Sequence, residues 1–554
     1  MLAVYLVAGV LVAPLAVAYS VDRARLHETA GITPVTLRVT TTGHSELRLG
    51  LPGTIYLPRS RGPLGVVATV DGPGIPDGSN GDLASYVTPH MLALYTGLFH
   101  DPTRAVATYV DLLEKELLHE WLLAETRLGL VTGTTLLVLL LVLPGLRRPS
   151  PEGGRGRPLA AVATLLAASL LLAGWQLWPS DAAAADTGAY EIPGLEGTPA
   201  RGATTDSALL EVLLGGALPK VETLVDRQER QVRHYRQVAD ASLASQESRV
   251  AGPRPGEVAV LMESDMHCNT TMIRMQRRVV DVLRERFGAD VPALMAVTGD
   301  LTTNGTAAED NCIRSEAAIP SPAPVAAVTG NHESDTSELQ MRQAGMHVLD
   351  EATQEVGGVR LLGDGDPERT QLFGATVLRG GETEEQVGAR LRERALDEQP
   401  QLVLVHEAYA AQAFVGVEDM RGFLDDRGSR TRPYDDGVRD LPASAVLYGH
   451  WHRQVAPRVV WNSDGTWTLV MELDTSGGAI ATPTLGHFST PWSTPQQEAS
   501  FPVLFLDRRS GLVTGYQLYR FHTDGTVQVR QRVEVGAPGG TVAPGDTRAD
   551  RARR

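Results

Sequence analysis

Three long apolar runs lie in the first third of the chain, where almost no charged residue interrupts them. They cover residues 1–20, 128–146 and 158–178. Each run has about the length that an α-helix needs to cross roughly 30 Å of hydrocarbon, and the alternative is a buried core helix. The first run ends in Ala-Val-Ala, as many signal peptides do, but it lacks their basic segment. We therefore expect three transmembrane helices, the first of them a retained signal anchor.

The placement of arginine predicts how these helices are oriented. The loop of residues 147–157 holds four arginines and one glutamate. Short loops rich in arginine stay in the cytoplasm, so residues 21–126 and everything after residue 178 are expected outside. The sequence thus predicts a multi-pass protein of the cell membrane, in contact with the lipid bilayer and with an extracytoplasmic catalytic part.

Residues 21–126 contain shorter periodic patterns. Val35, Leu37 and Val39 alternate with polar residues, and so do the leucines of residues 47–51, which is the period of half-buried strands. Residues 103–126 have the spacing of an amphipathic helix that continues into the second apolar run. We expect a small extracytoplasmic α+β domain here, and its scattered histidines do not indicate a site.

Residues 179–250 connect the last apolar run to the rest of the chain. Ala, Gly and Pro predominate up to about residue 205, which is typical of a flexible linker. Apolar residues at helical spacing follow from Val221 to Leu243, and Gln228 interrupts their seam. This helix either packs on the domain that follows or pairs with a second copy as a dimerising stalk. The oligomeric state stays open.

Beyond residue 250 the pattern changes to short apolar runs, five of which lead into residue types that bind metals. The runs cover residues 258–262, 293–297, 325–328, 402–405 and 445–448. Strands separated by helices favour a layered α/β fold, in which ligands bind at the carboxyl ends of the strands. The candidate residues that follow the runs are Asp265, His267, Asp300, Asn331, His332, His406, His450 and His452.

These residue types indicate a metal site. Carboxylate and imidazole without thiolate suit Mn, Fe, Zn or Ni. Asp265 and His267 are two residues apart, as are His450 and His452, and this spacing places side chains on one side of an extended segment. Seven ligands would be too many for one tetrahedral ion, but they suit two ions that share a carboxylate. Two ions about 3.5–4 Å apart form a clamp for in-line displacement at phosphorus. We expect two divalent metal ions, whose identity the sequence does not determine.

Composition narrows the classes of function. The chain has 554 residues, of which 43% are hydrophobic and 21% charged, which excludes a disordered chain and a pure membrane bundle. A net charge of −16 argues against nucleic-acid binding, because such binding depends on clustered Lys and Arg. The two cysteines exclude a disulfide-rich scaffold and a four-cysteine zinc site.

The order of these motifs resembles that of the calcineurin-like metallophosphoesterase superfamily. Its pattern is Asp-x-His, Gly-Asp, Gly-Asn-His-Asp/Glu, His and Gly-His-x-His, and residues 265–452 contain all five pieces in sequence. The resemblance covers about residues 250–475. It implies a four-layer α/β/β/α sandwich and a hydrolase that cleaves a phosphomonoester or phosphodiester with a metal-activated hydroxide.

The resemblance also implies a role for each candidate residue. The ligands of the first metal would be Asp265, His267 and His452, those of the second Asn331, His406 and His450, and the bridge between them Asp300. His332 would contact the phosphate and act as general acid for the leaving oxygen. Glu333, which follows it, is expected to have a structural role.

The two cysteines lie close to these residues in sequence. Cys268 directly follows His267, and Cys312 lies twelve residues beyond Asp300. If Asp265 and Asp300 bind the same pair of metals, both cysteines lie on one rim and a disulfide between them is favoured. Such a disulfide persists only in an oxidising space, in agreement with the predicted orientation. Two unpaired thiols are the alternative, and the complete Asp, His and Asn set makes thiolate ligation unnecessary.

After residue 461 the chain turns to alternating patterns. Asp-Gly pairs at residues 464–465 and 524–525 are typical of hairpin turns. These strands are expected to complete a second sheet of the sandwich. The phosphoesterase domain would thus extend over residues 251–536, with a disordered tail over residues 537–554.

Three hypotheses for function follow. The first is a membrane-anchored, extracytoplasmic phosphoesterase that acts on a phosphate ester. The second is a non-catalytic, membrane-tethered binding or scaffold module on the same fold, against which the intact ligand set argues. The third is a phosphoesterase that faces the cytoplasm and acts on nucleotides. The sequence determines neither the substrate nor the preference for a monoester or a diester.

Overall fold

A computed structural model describes the chain over the ranges 2–30, 33–49, 53–58, 64–70, 102–142, 169–170, 172–173, 190–192, 201–207, 211, 230–370, 376–425, 440–481 and 493–536. The fold is mixed α/β with several sheets. The chain divides into two compact units. The first comprises Met1–Glu28, Pro34–Gly72 and Thr103–Glu222, and the second comprises Thr29–Thr33, Pro73–Pro102 and Thr223–Arg554.

The first unit contains two long helices and a small sheet. Helix α1 spans Leu2–Arg23 and helix α2 spans Pro102–Val142. The strands are β1 Arg25–Ala30, β2 Thr33–Thr40, β3 Glu46–Arg48, β4 Thr54–Tyr56, β5 Gly65–Val70, β6 Tyr190–Glu191 and β7 Thr204–Thr205. They form one sheet in the order β1-β2-β5-β3-β4-β7-β6. The first alternating pattern is therefore strand β2, whereas only Leu47 of the second lies in a strand. Leu49 follows β3, and its backbone N–H donates to the carbonyl oxygen of Gly53.

Only part of the predicted membrane region lies within the described residues. Among these residues, one helix is long and apolar enough to cross a membrane, namely α1. Helix α2 continues without a break from the amphipathic segment into the second apolar run, whose last residues, 143–146, lie outside the description. The loop 147–157, most of the third run and the tail 537–554 lie outside it as well. The multi-pass arrangement and its orientation stay predictions.

The second unit contains most of the strands. They are β8 Glu257–Glu263, β9 Leu294–Val297, β10 Val325–Ala327, β11 His347–Val348, β12 Gln354–Val356, β13 Val359–Gly363, β14 Glu368–Arg369, β15 Val377–Leu378, β16 Leu402–Leu404, β17 Ala445–Tyr448, β18 Arg458–Trp461, β19 Trp467–Glu472, β20 Ala499–Asp507, β21 Val513–Phe521, β22 Val527–Val529 and β23 Val533–Glu534. Each of the five apolar runs that precede a candidate residue is a strand, as predicted.

These strands form two large sheets and one small pair. The first sheet has the order β11-β10-β9-β8-β20-β21-β22, with β23 beside β21, and the second has the order β12-β13-β16-β17-β19-β18. Strands β8 to β11 are parallel to their neighbours among themselves, and so are β13, β16, β17 and β19. Parallel strands end at a common edge, so the residues that follow them meet at one edge of each sheet.

Helices separate many of these strands. They are α3 over residues 230–245, α4 Thr270–Phe287, α5 Asp310–Ala317, α6 Asp335–Gln343, α7 Glu384–Glu398, α8 Ala408–Val415 and α9 Met420–Asp425, with 3₁₀ turns at Glu247–Arg249 and Ala307–Glu309. Several begin at a side chain that accepts backbone N–H groups. Asn269 does so for α4, Ser334 for α6 and Thr383 for α7, which is the usual way to begin a helix.

Alternate residues of the strands belong to different apolar clusters. In β8, Leu261 lies in a cluster that includes residues of α3 and α4, whereas Val260 lies in a cluster that contains residues of both large sheets. Val403 of β16 lies in a third cluster, which includes Leu391 of α7 and Phe414 of α8. Both large sheets are therefore buried on both faces, as the apolar runs of parallel strands require.

The strands after residue 461 are divided between the two large sheets. Strands β18 and β19, joined by the turn at residues 464–465, lie in the second sheet as predicted. Strand β20 instead pairs antiparallel with β8, and β21 and β22 follow it in the first sheet. The prediction that all of them complete the second sheet is wrong. An alternating pattern indicates a strand, but it does not indicate the partner.

Helix α3 packs against other elements of the second unit, to which it belongs. Tyr235, Ala239 and Leu243 belong to the cluster that includes α4 and the first sheet. Ser242 Oγ accepts a hydrogen bond of 2.8 Å from the backbone N–H of Val527. Residues 230–245 therefore form a helix with one face packed in this cluster, whereas Gln228 lies outside the described residues.

Candidate metal centre

The eight candidate residues lie in the loops at the carboxyl ends of five strands. Each loop contributes one or two of them: Asp265 and His267 after β8, Asp300 after β9, Asn331 and His332 after β10, His406 after β16, and His450 and His452 after β17. Seven of them form three overlapping groups whose potential ligand atoms lie within 4.8 Å of one another. Asn331 joins them through its side-chain oxygen, which lies 3.0 Å from His406 Nε2.

One group contains Asp265, His267 and His452. His452 Nε2 lies 3.0 Å from Asp265 Oδ1 and 3.1 Å from His267 Nε2. His267 Nε2 also lies 3.8 Å from Asp300 Oδ2. Two ring nitrogens at this separation have the spacing of neighbouring ligands that each lie about 2.0–2.1 Å from one ion.

A second group contains Asn331, His406 and His450. His406 Nε2 lies 3.1 Å from His450 Nδ1, and that atom lies 3.2 Å from Asn331 Oδ1. Asp300 Oδ2 lies 3.3 Å from His406 Nε2. The same Asp300 oxygen therefore faces both groups, as a bridging carboxylate would.

The hydrogen bonds of two imidazole rings show which nitrogen is free to bind a metal. His406 Nδ1 lies 2.9 Å from the Thr298 carbonyl oxygen, and His452 Nδ1 lies 2.7 Å from that of Ala479. A carbonyl oxygen only accepts, so each Nδ1 carries a proton, and in the neutral ring Nε2 presents a lone pair. His406 Nε2 then faces Asp300 Oδ2 and Asn331 Oδ1, which are acceptors too. Acceptors that converge in this way fit a bound cation.

The backbone of these loops adopts an unusual conformation. The φ angle is positive at five of the seven predicted ligands, and these residues with their angles are Asp265 52°, His267 46°, Asp300 55°, His450 71° and His452 49°. Such angles are uncommon outside glycine and cluster at functional sites. Backbone bonds between loops hold them in place, since the N–H groups of Asp265 and His267 donate to the carbonyl oxygens of Gly299 and Asp300, each at 3.0 Å.

Two motif glycines are required by close approach of the loops. Gly299 has a φ of +105°, and an added Cβ would lie 2.6 Å from the nitrogen of Gly330. A Cβ on Gly330 would lie 2.2 Å from Asp300 Oδ1. A side chain at residue 299 would therefore clash with the backbone of Gly330, and one at residue 330 would clash with the carboxylate of Asp300, which explains why glycine precedes both Asp300 and Asn331.

Burial and nearby charges shift the pKa values of the candidate ligands in both directions. Burial and the nearby charge of His332 lower the pKa of His267 to about 3, so its ring is neutral at physiological pH. Burial raises the pKa of Asp300, but His406 and His332 more than offset this and hold it well below its usual value. His267 is therefore a neutral imidazole beside an ionised carboxylate. Burial lowers the pKa values of His406, His450 and His452, but nearby carboxylates more than offset this and raise them, so a bound cation would have to displace protons from these rings.

Glu333 connects two of the ligand loops. Its carboxylate accepts hydrogen bonds from the backbone N–H groups of Gly330 at 2.7 Å, Asp300 at 2.8 Å and Thr302 at 2.9 Å. The side chain is buried and does not belong to the groups of potential ligands. These hydrogen bonds support the expected structural role.

We expect Glu333→Gln to destabilise the second unit by about 2–3 kcal/mol, because an amide NH₂ would face backbone donors that then lose their acceptor. Chemical denaturation of the metal-free protein measures this free energy of unfolding. Glu355→Gln, on an exposed strand position, is the matched control and should leave it unchanged. Equal stability of the Glu333 variant and the control would contradict the structural role.

A disulfide joins the two cysteines, as predicted. Cys268 and Cys312 have Cα atoms 5.4 Å apart and are separated by 44 residues in sequence. Both are buried. The bond attaches the loop of His267 to helix α5.

Removing this disulfide should lower the stability of the second unit. Closing a loop of this length restricts the unfolded chain by about 4 kcal/mol in the chain-entropy account. We therefore expect the double substitution Cys268→Ser and Cys312→Ser to lower the free energy of unfolding by about that amount. Denaturation with and without reductant measures it, and a reductant that has the same effect on the double variant as on the wild type would contradict it.

Two further residues contact the candidate ligands, and the sequence did not indicate them. Glu407 Oε1 lies 2.9 Å from His450 Nε2. The side-chain amide of Asn331 donates to Thr370 Oγ1, which directs its oxygen towards His406. The only signal for Glu407 is its position directly after His406, and Thr370 lies 39 residues from Asn331.

Comparison with known proteins agrees with this site. Residues 259–454 match the family model of the calcineurin-like phosphoesterases, so this part of the chain is a calcineurin-like phosphoesterase domain, as the motifs predict. No curated protein matches the chain. Among solved structures, a phosphatase from Mycoplasma pneumoniae is similar at 12% identity and a TM-score of 0.31, over 48% of this chain and 94% of that chain. The family match and the Asp and His groups support a metal-dependent phosphoesterase.

Proposed function

We propose that the protein is a membrane-anchored phosphoesterase with two metal ions, which hydrolyses a phosphomonoester or a phosphodiester outside the membrane. The family match supports hydrolysis of a phosphate ester. The observation that carries the proposal is the convergence of acceptors around Asp300 Oδ2, with His406 Nε2 at 3.3 Å and His267 Nε2 at 3.8 Å. When bound, two divalent ions supply an activated water and neutralise the phosphate oxygens.

We assign the ligands to two metal sites that share Asp300. The first site takes Asp265, His267 and His452, and the second takes Asn331, His406 and His450. The distances within each group support this division. Mn, Fe, Zn and Ni all suit this set of ligands.

His332 is the proposed proton donor to the leaving oxygen. Its Nδ1 donates to the Thr303 carbonyl oxygen at 2.7 Å, and its Nε2 lies 3.9 Å from Asp300 Oδ2. The ring stands edge-on to that of His267, with 4.8 Å between the ring centroids. These contacts direct Nε2 towards the centre, where a proton can neutralise the charge that develops as the ester bond breaks.

The finer organisation of the chain belongs to the proposal too. The three apolar clusters support a four-layer α/β/β/α sandwich over residues 251–536. Helix α1 supports an anchor at the start of the chain, and the disulfide supports an extracytoplasmic location. A carboxyl-terminal tag should therefore be cleaved by protease added to right-side-out vesicles. Protection of the tag until detergent is added would favour the cytoplasmic enzyme.

The central experiment uses the full chain, purified in detergent and stripped of metal. Mn²⁺, Zn²⁺, Ni²⁺ or Fe²⁺ is then added with an aryl phosphomonoester or an aryl phosphodiester. Turnover that returns with metal would support the hydrolase, and the ratio of the two rates would narrow the substrate class. If the chain neither binds metal nor turns over either ester, the proposed hydrolase is overturned and the non-catalytic binding module is favoured.

A further inference from the structure

The two proposed metal sites differ in the charge of their own ligands. Besides Asp300, each site has one ligand that is not a histidine. In the first site this ligand is the carboxylate of Asp265, and in the second it is the neutral side chain of Asn331. Both share the single charge of Asp300. The imidazoles that complete each group are neutral when a metal is bound, so the second site carries one negative charge fewer than the first. The positive charge of a divalent ion in that site would need a further negative charge from a residue that is not itself a ligand.

Glu407 provides such a charge next to the second site. It directly follows His406 and is 7% exposed. Its Oε1 lies 2.9 Å from Nε2 of His450, and its Oε2 accepts from the backbone N–H of Tyr409 at 3.4 Å. The carboxylate therefore begins helix α8 with one oxygen and contacts a metal-ligand histidine with the other.

This contact determines which nitrogen of His450 faces the metal site. A carboxylate accepts, so His450 Nε2 carries the proton and Nδ1 presents its lone pair. That Nδ1 lies 3.1 Å from His406 Nε2 and 3.2 Å from Asn331 Oδ1, inside the second group. His406 and His452, in contrast, donate to backbone carbonyl oxygens, which carry no charge.

We infer that Glu407 is a positioning residue that gives the second metal site its affinity, through the His450 ring. The inference rests on the proposed function, since it concerns the same pair of metals. A carboxylate behind a metal-bound imidazole fixes the ring and raises its basicity, and loss of such a partner typically costs about 10–100-fold in metal affinity. The first site lacks this contact, so its affinity is independent of Glu407.

The test is a calorimetric titration of the metal-free full chain with Mn²⁺ alone, in wild type, Glu407→Gln and Glu407→Ala. The glutamine keeps an acceptor for His450 but removes the charge, and the alanine removes both. We expect the affinity of the second site to fall about tenfold in the first variant and up to about 100-fold in the second, with the first site unchanged. Glu418→Gln removes an exposed carboxylate of the same segment and is the control.

A role of Glu407 in helix α8 alone gives a different result. The variants would then have a lower melting temperature without metal, and both Mn²⁺ affinities would equal those of the wild type. That outcome would overturn the inference while leaving the phosphoesterase proposal intact. A wild-type chain that binds no Mn²⁺, Zn²⁺, Ni²⁺ or Fe²⁺ would instead overturn the proposed function, and the inference with it.

Discussion

Asp300→Asn should abolish turnover while leaving the protein folded. Asp300 Oδ2 faces both metal groups, at 3.3 Å from His406 Nε2 and 3.8 Å from His267 Nε2. The amide keeps the shape of the side chain but removes the charge that both sites share. Since a bridging ligand stabilises several kcal/mol of transition-state charge, we expect kcat/KM to fall by about 10³–10⁵-fold. Both metal affinities should fall together, in contrast to the effect of Glu407.

The same substitution should not unfold the chain. An amide NH₂ in place of Oδ2 would donate hydrogen bonds to the lone pairs that otherwise require a cation. The remaining oxygen can still accept the hydrogen bond that Oδ1 of Asp300 accepts from the His332 backbone N–H at 2.9 Å in the wild type. Asp290→Asn, on an exposed loop, removes an equal charge and is the control. Circular dichroism, metal content and turnover are measured together. Two bound metals and turnover within tenfold of the wild type would contradict the bridging role.

The strands and the convergence of the candidate ligand residues could be predicted because both depend on short segments of sequence. Each of the five apolar runs is a buried strand, and each motif directly follows its strand. Parallel pairing brings three motifs to one edge of the first sheet and two to one edge of the second, and packing of the two sheets brings these edges together. The disulfide followed from the same placement. The strand that pairs with β20 could not be predicted, because its partner β8 lies more than 230 residues away along the chain.

The residues that orient the ligands could not be predicted for a related physical reason. Glu407 acts on His450, which is 43 residues away along the chain and lies after a different strand. Thr370, directly after β14, contacts Asn331, and the partners from Thr298 and Ala479 are backbone carbonyls, which every residue has. Contacts of this kind depend on tertiary structure and leave no pattern in the sequence.

His332→Ala should lower turnover by an amount that depends on the leaving group. A general acid typically contributes about 10²–10⁴-fold when the leaving oxygen needs a proton. An alkyl phosphate leaves as a strongly basic alkoxide, so it should lose the full factor. A nitrophenyl phosphate leaves as a stable phenolate and needs little protonation, so its loss should be far smaller. The ratio of the two losses measures proton donation separately from binding.

This ratio distinguishes the two roles that the position of His332 permits. Nε2 lies 3.9 Å from Asp300 Oδ2, close enough to the centre to contact either a phosphate oxygen or the leaving oxygen. A residue that only binds phosphate would give equal losses for both esters, and that result would contradict the general acid. His347→Ala, on an exposed strand position, is the control and should change neither rate. Metal content should also be unchanged in His332→Ala, because His332 is not assigned to either metal site, so the loss cannot be attributed to an empty centre.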